Sequence, residues 1–402
     1  MSDYLSHHGL YIVGQTLTEL RLSSISMVNV PLAIILSSCR NLASLDLNVK
    51  SVATIELTQL SHTTALRAIT LNLTYPMANP DELLSLFRHS PYIRFFYLVS
   101  ILMIRNMTED ILPTLYDYCP KLTTFAAQGV QYLMTPWNTP VRTLLPHFEK
   151  SKSTLKTMHL IPAYNANDSS NSSSWGSIST IDLPILTNLN ITIPANENKI
   201  LRYVSTMLYS YPSLERLELE SCSLVEDDTM DFEVAEKLYT AIAQLAKLTY
   251  LSFHTLTITK ENTGPLIHFL QHLARKFPEY GALQDLRFNF CPGIRRNVLL
   301  EIAKIKSFEK LYIFATGRNT GTERNTGTLT GEDFALFAEL ISKLPKLTNL
   351  FLGNMEMTEE AAKYLAANTT LTNLNLFGTP GANTLKVYNI LVENIENVEI
   401  DD

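Results

Sequence analysis

The chain has 402 residues, 46% of them hydrophobic and 18% charged, with a formal net charge of −7 from 39 acidic and 32 basic side chains. That length exceeds what one hydrophobic core usually supports, and the apolar content is too high for a disordered chain, which leaves two domains or a repeat array. No run of lysines and arginines offers a phosphate-binding stripe, so nucleic acid is not an expected partner, and the strongest apolar stretch, Phe95 to Ile104, falls far short of the roughly 20 residues that cross a bilayer.

Residues 1–16 form an N-terminal segment without the basic region and apolar run of a secretory signal, so the expected location is intracellular, cytoplasmic and/or nuclear. From Leu17 onward one pattern recurs, L-x-x-L-x-L, with Leu, Ile, Val, Phe, Met or Ala at the marked places. In chain order its copies begin at Leu17 (LTELRL), Leu42 (LASLDL), Leu66 (LRAITL), Ile93 (IRFFYL), Leu122 (LTTFAA), Leu155 (LKTMHL) and Leu186 (LTNLNI). They continue at Leu214 (LERLEL), Leu248 (LTYLSF), Leu283 (LQDLRF), Phe308 (FEKLYI), Leu347 (LTNLFL), Leu371 (LTNLNL) and Ile395 (IENVEI). Successive starts lie between 24 residues apart (Leu42 to Leu66) and 39 apart (Phe308 to Leu347).

The last two apolar residues of each motif alternate with polar ones, the period-2 signature of a strand with one buried face. The stretches that follow switch to helical spacing, as in Ile200, Tyr203, Val204, Met207 and Leu208, and in Val234, Leu238, Ile242 and Leu245. Capping chemistry marks helix starts at Asn79-Pro80-Asp81-Glu82, Thr108-Glu109-Asp110 and Thr330-Gly331-Glu332-Asp333. Strands alternating with helices at this period predict an α/β solenoid, a curved horseshoe with parallel strands on the concave face and helices on the convex face. The expectation is a single solenoid over residues 17–402, of about 13–14 irregular repeats. Two loop inserts interrupt it, the Ser- and Asn-rich 165–180 and the 317–331 segment with its doubled RNTGT, while Val52 to Leu57 reads as an extra short strand.

The four cysteines fall on repeat positions: Cys39 and Cys119 lie three residues before a motif's first leucine, Cys222 and Cys291 three residues after the strand's last apolar residue. Together with the helix tails DYCPKL, SYPSL and KLPKL, this resembles the cysteine-containing, ribonuclease-inhibitor-like leucine-rich repeats, and in particular the substrate-binding repeat region of fungal F-box proteins. The resemblance covers about residues 17–400 and implies the receptor arm of a cullin-based ubiquitin ligase. The F-box itself, a helical module that would bind the ligase adaptor, has no counterpart in residues 1–16, so it either lies upstream or has been lost. The alternative within the same scaffold is a leucine-rich-repeat regulator of a small GTPase, of the GTPase-activating kind, or another binding module unrelated to ubiquitin.

No catalytic, cofactor-binding or metal-binding set emerges. His268 and His272 share a helix face, but the zincin pattern needs a glutamate directly after the first histidine and Phe269 stands there. The acidic run Glu226-Asp227-Asp228 suits a helix N-terminus, and no nucleophile, base and orienting acid assemble. The expected function is therefore non-catalytic protein binding on the concave face.

Strand alternation selects the candidate residues. Tyr250, Arg287, Tyr312, Phe314, Phe351 and Phe377 fall on outward positions, where folding alone has no need of an aromatic ring, and interfaces are enriched in these residue types. Phe95 and Tyr97 form a secondary patch on the same criterion. The competing account is that these rings stack on one another across strands about 4.8 Å apart and serve only the sheet.

Overall fold

A computed structural model describes residues 14–25, 32–49, 60, 62–73, 81–100, 115–129, 152–160, 181–193, 198–221, 232–256, 260–276, 283–291, 294–314 and 330–401. The chain divides into two compact units, Met1–Ile191 and Thr192–Asp402. The Val52 segment, insert 165–180, Cys222, Glu226 to Asp228 and all of insert 317–331 but its last two residues lie outside the described residues.

In the first unit the strands are β1 (Glu19–Ile25), β2 (Ser44–Val49), β3 (Ala68–Leu73), β4 (Phe95–Ser100), β5 (Thr124–Gly129), β6 (Thr157–Leu160) and β7 (Asn188–Ile193), whose last residues enter the second unit. Each pairs in parallel with the next. The described helices between them are α1 (Leu32–Ser38), α2 (Asp81–His89) and α3 (Leu115–Tyr118).

The second unit opens with helix α4 (Asn198–Leu208) and then alternates without exception. Its order is β8 (Arg216–Ser221), α5 (Phe232–Ala243), β9 (Tyr250–His254), α6 (Lys260–Lys276), β10 (Asp285–Asn289), α7 (Arg296–Ile302), β11 (Lys310–Phe314), α8 (Gly331–Ile341), β12 (Asn349–Gly353), α9 (Glu359–Ala366), β13 (Asn373–Phe377), α10 (Leu385–Val392) and β14 (Asn397–Asp401). These strands also pair in parallel with their sequence neighbours, and each helix packs beside the next. A sheet whose strand order is the sequence order, with a helix in every connection, is the α/β leucine-rich-repeat solenoid.

Local chemistry explains the regularity. All fourteen strands among the described residues begin two residues after a motif's first apolar residue. That first residue (Leu122, Leu186, Leu248, Leu347 or Leu371) is buried, and the threonine after it donates its hydroxyl to the backbone carbonyl at the same place one repeat earlier. Thr123 bonds Arg94, Thr187 bonds Lys156, Thr249 bonds Glu215, Thr348 bonds Glu309 and Thr372 bonds Thr348, at 3.0–3.2 Å. The L-T pair thus ties one repeat to the previous one, its hydroxyl adding to the two backbone N–H groups that already donate to the same carbonyl.

Inward strand residues close the core: Leu251 and Phe253, Leu286 and Phe288, Leu311 and Ile313, Leu350 and Leu352 are all buried. The helices contribute Val204, Met207, Leu208, Val234, Leu238 and Ile242 to the same layer. The expected cap at Thr330 forms a reciprocal pair. Its hydroxyl accepts from the Asp333 N–H at 3.2 Å while the Asp333 carboxylate accepts from the Thr330 N–H at 3.3 Å.

Candidate functional site

Parallel register sorts the outward side chains of the second unit into rows. The first row carries Arg216, Tyr250, Asp285, Lys310, Asn349, Asn373 and Asn397; the second, Glu218, Ser252, Arg287, Tyr312, Phe351, Asn375 and Glu399. The third carries Glu220, His254, Asn289, Phe314, Gly353, Phe377 and Asp401, except that Asn289 pairs only with His254 in the ladder. All six predicted residues therefore lie on one face of this sheet, and the register brings them into contact.

Two linked clusters result. In the first, the Arg216 guanidinium sits 3.8 Å from the centre of the Tyr250 ring, and Arg287 lies 5.0 Å from Tyr250 and 4.0 Å from Tyr312. Tyr312 then stacks on Phe351 with centroids 5.8 Å apart. Arg287 is fixed edge-on as well, donating Nε to Asp285 Oδ1 and Nη2 to Asp285 Oδ2, both at 2.9 Å. A guanidinium held by a two-pronged carboxylate contact and sandwiched between two rings has little freedom left. Burial, and next to it the Glu218 carboxylate, push the Tyr250 hydroxyl above its ordinary range, so it stays protonated at neutral pH.

The second cluster centres on Phe314, whose ring lies 4.4 Å from Phe290, 5.5 Å from Phe377 and 6.2 Å from Phe351. His254 lies 5.5 Å from Phe290 and approaches Glu220 at 3.8 Å. The Phe314 ring rests over Gly353, so close that a Cβ there would collide with Phe314 Cδ2. Glycine at the third outward position of β12 is what lets the ring approach the neighbouring strand so closely.

Exposure departs from the sequence expectation at two places. Tyr250 and Phe314 are buried, not solvent-facing: Tyr250 is roofed by two arginines and Phe314 by three phenylalanines. Arg287, Tyr312 and Phe351 are half-buried, and Phe377 is 40% exposed. Stacking and accessibility thus coexist, with covered residues beneath and open ones at the rim. In the first unit, Phe95 is exposed and Tyr97 half-buried, each paired with small neighbours, Phe95 with Ala68 and Thr124, Tyr97 with Thr70 and Ala126.

One residue escapes strand alternation altogether. Phe290 follows the last residue of β10 and is 44% exposed, with φ of +52°. The residue just past the strand has the same left-handed backbone in three other repeats, as Thr255 (+57°), Asn354 (+57°) and Gly378 (+55°). Asparagine and glycine tolerate that region, whereas the β-branched Thr255 and the bulky Phe290 are outliers there, and of the two Phe290 carries the exposed ring. A period-2 reading stops at the strand end and assigns Phe290 no face.

Among the described residues no group of three His, Cys, Asp or Glu could hold a metal ion, and no helix is long and apolar enough to cross a membrane. Cys39, Cys119 and Cys291 are unpaired and buried, and burial pushes the Cys119 and Cys291 thiols up to about 12. A thiol in that state is a packing group and not a nucleophile.

No family model and no curated protein matches this chain. Among solved structures, the crystal structure of an internalin from Listeria monocytogenes is similar to it with a TM-score of 0.41 and 12% identity, over 99% of this chain and 90% of that one. The in-order ladder of each unit, not that likeness, carries the fold assignment.

Proposed function

We propose that the outward sheet face of the second unit is a non-catalytic docking surface for a protein partner. Phe290 carries the reading: an exposed ring held in left-handed backbone, at a turn that other repeats fill with Thr255, Asn354 and Gly378. Strain of this kind costs on the order of 1–3 kcal/mol and is typically retained at ligand-binding sites. Its packing on Phe314 and His254 still leaves the ring 44% exposed in spite of that strain, and interface centres are rich in aromatic anchors. Phe290 and Phe377 form the open rim, Tyr312 and Phe351 the half-buried floor, and Tyr250, Arg287 and Phe314 hold the floor in place.

The finer context rests on the repeat sequence. Its cysteine-bearing motifs resemble the substrate-binding region of F-box proteins, so the partner we propose is a substrate of a cullin-based ubiquitin ligase. Free, buried thiols suit the reducing interior of a cell. Affinity purification with residues 1–402 and with Phe290→Asn tests the docking surface. The variant should melt higher than the parent, because the strain is relieved, and should lose the partner that the parent retains. A variant that keeps the partner, or melts lower, would sink the reading. Recovery of a small GTPase in place of a ligase substrate would favour the regulatory alternative.

A further inference from the structure

A basic row runs along the edge of the first unit where its strands begin, assembled from residues that lie far apart in sequence. The N–H of Arg94 donates to the Arg67 carbonyl at 2.7 Å, that of Thr123 to Arg94 at 2.8 Å, and that of Lys156 to Thr123 at 3.0 Å. Residues linked in this way stand at one level of successive strands, about 4.8 Å apart. Arg67, Arg94 and Lys156 are exposed, and among the described residues none of them forms a salt bridge. Arg40, Lys121 and Lys152, also exposed, occupy the turns that lead into β2, β5 and β6. Lys121 holds its ammonium 5.0 Å from the centre of the Tyr92 ring, which belongs to the turn one repeat earlier.

Folding does not ask for cations at this level. Five repeats place a threonine there, whose hydroxyl bonds the carbonyl of the repeat before, and one of them, Thr123, stands between Arg94 and Lys156 in the row itself. An arginine or lysine forgoes that bond. Arg67 and Arg94 also set like charges on adjacent strands, an arrangement that destabilises a sheet. In the second unit the same positions are Glu215, Thr249, Gln284, Glu309, Thr348 and Thr372, without a cation. The basic row is therefore a property of the first unit and not of the repeat.

We infer that this edge docks an extended acidic segment of a protein partner, laid across the strand starts with its carboxylates against Arg67, Arg94 and Lys156. From Arg67 to Lys156 is three strand intervals, about 14 Å, which an extended chain at about 3.3 Å per residue covers in four or five residues. Charge complementarity selects an anion, and a row one residue deep suits a single chain and not a duplex. Single-stranded nucleic acid needs open rings on which successive bases stack, whereas the ring in these turns, Tyr92, already carries Lys121 over its face. A second copy offers no matching row at the corresponding edge of its second unit, because Lys247, Lys306 and Lys346 interleave there with Glu215 and Glu309.

The probe is a capped decapeptide of alternating glutamate and serine, with its glutamine–serine counterpart and decauridylate as controls, added to residues 1–402. The glutamate peptide should bind, more weakly as salt rises, and the glutamine peptide should not. A variant with both Arg67→Thr and Arg94→Thr takes the residue that other repeats place at this level, so it should melt no lower than the parent. Its affinity for the glutamate peptide should fall about tenfold or more. Phe290→Asn should leave that affinity unchanged, which keeps this test separate from that of the docking face. Undiminished affinity in the double variant, or equal binding of the glutamine peptide, would overturn the inference. A double variant that melts lower would do the same, since the arginines would then serve the fold. So would tighter binding of decauridylate at the same arginines, or self-association that the double variant abolishes, since the occupant would then be nucleic acid or a second copy.

Discussion

Outward aromatic residues occur in both units, and their fates differ. On β4, Phe95 and Tyr97 lie between small residues on β3 and β5, and the Phe95 ring is left exposed. On β9 to β13 the same kind of position meets arginines and other rings, so Tyr250 and Phe314 end up covered and Arg287, Tyr312 and Phe351 partly so. The lesson is that alternation decides which side of the sheet a ring is on, and cross-strand neighbours decide whether water reaches it. An outward ring among small residues adds little to stability. One within a ladder contributes contact energy and is also preorganised for a partner.

The largest expected effect separates the two faces of one strand. Leu350→Ala should cost about 2–5 kcal/mol, because it empties a closed core position. The adjacent Phe351→Ala should cost about 0.5–1.5 kcal/mol through its lost stack on Tyr312. Phe95→Ala should fall within about 0.5 kcal/mol of the parent. Denaturant midpoints for the three variants rank them directly, and a Phe95→Ala value near that of Phe351→Ala would erase the distinction drawn between the units.

A smaller but more pointed effect is expected at Gly353. Alanine there should destabilise by about 1–3 kcal/mol, since the Phe314 ring occupies the space its methyl group needs. In a Phe314→Leu background the same change should cost much less. If the two costs simply add, the close approach of ring to backbone is not what requires the glycine.

The smallest effect concerns charge on the helices. Hydrogen bonds from Lys363, and then from Lys386, hold the Glu359 carboxyl down at about 2, joining α9 to α10. A depressed carboxylate favours the folded state above its ordinary value of 4.5, and that contribution fades as pH falls from there toward 2. A carbon-13 titration of the Glu359 side chain should show a midpoint near 2, moving upward in Lys386→Met. A midpoint unmoved by that change would mean the clamp between the two helices does not persist in solution.

The fold was legible in sequence because its determinants are local and repeated. An apolar residue followed two positions later by an alternating strand occurs fourteen times, and the strands begin at that offset each time. The inward set at Leu311, Ile313, Leu350 and Leu352 follows from the same period, and the Thr330 cap from an acid three residues past a threonine. The six candidate residues were legible only as a face. That Arg216 and Arg287 enclose Tyr250, and that Phe314 lies over Gly353, depends on side chains brought together from successive repeats, whose motif starts are 24–39 residues apart. Phe290 was beyond reach because its place is set by a left-handed turn after the strand, where the alternation that points every other residue no longer applies. Sequence alone thus determined the repeat, the register and the buried side of each strand, all consequences of a two-residue period against a hydrophobic core. Only the tertiary structure decided which outward rings are sealed, which are open, and which one is strained, because those depend on the chemistry of the neighbouring strand and the direction of the chain as it leaves the sheet.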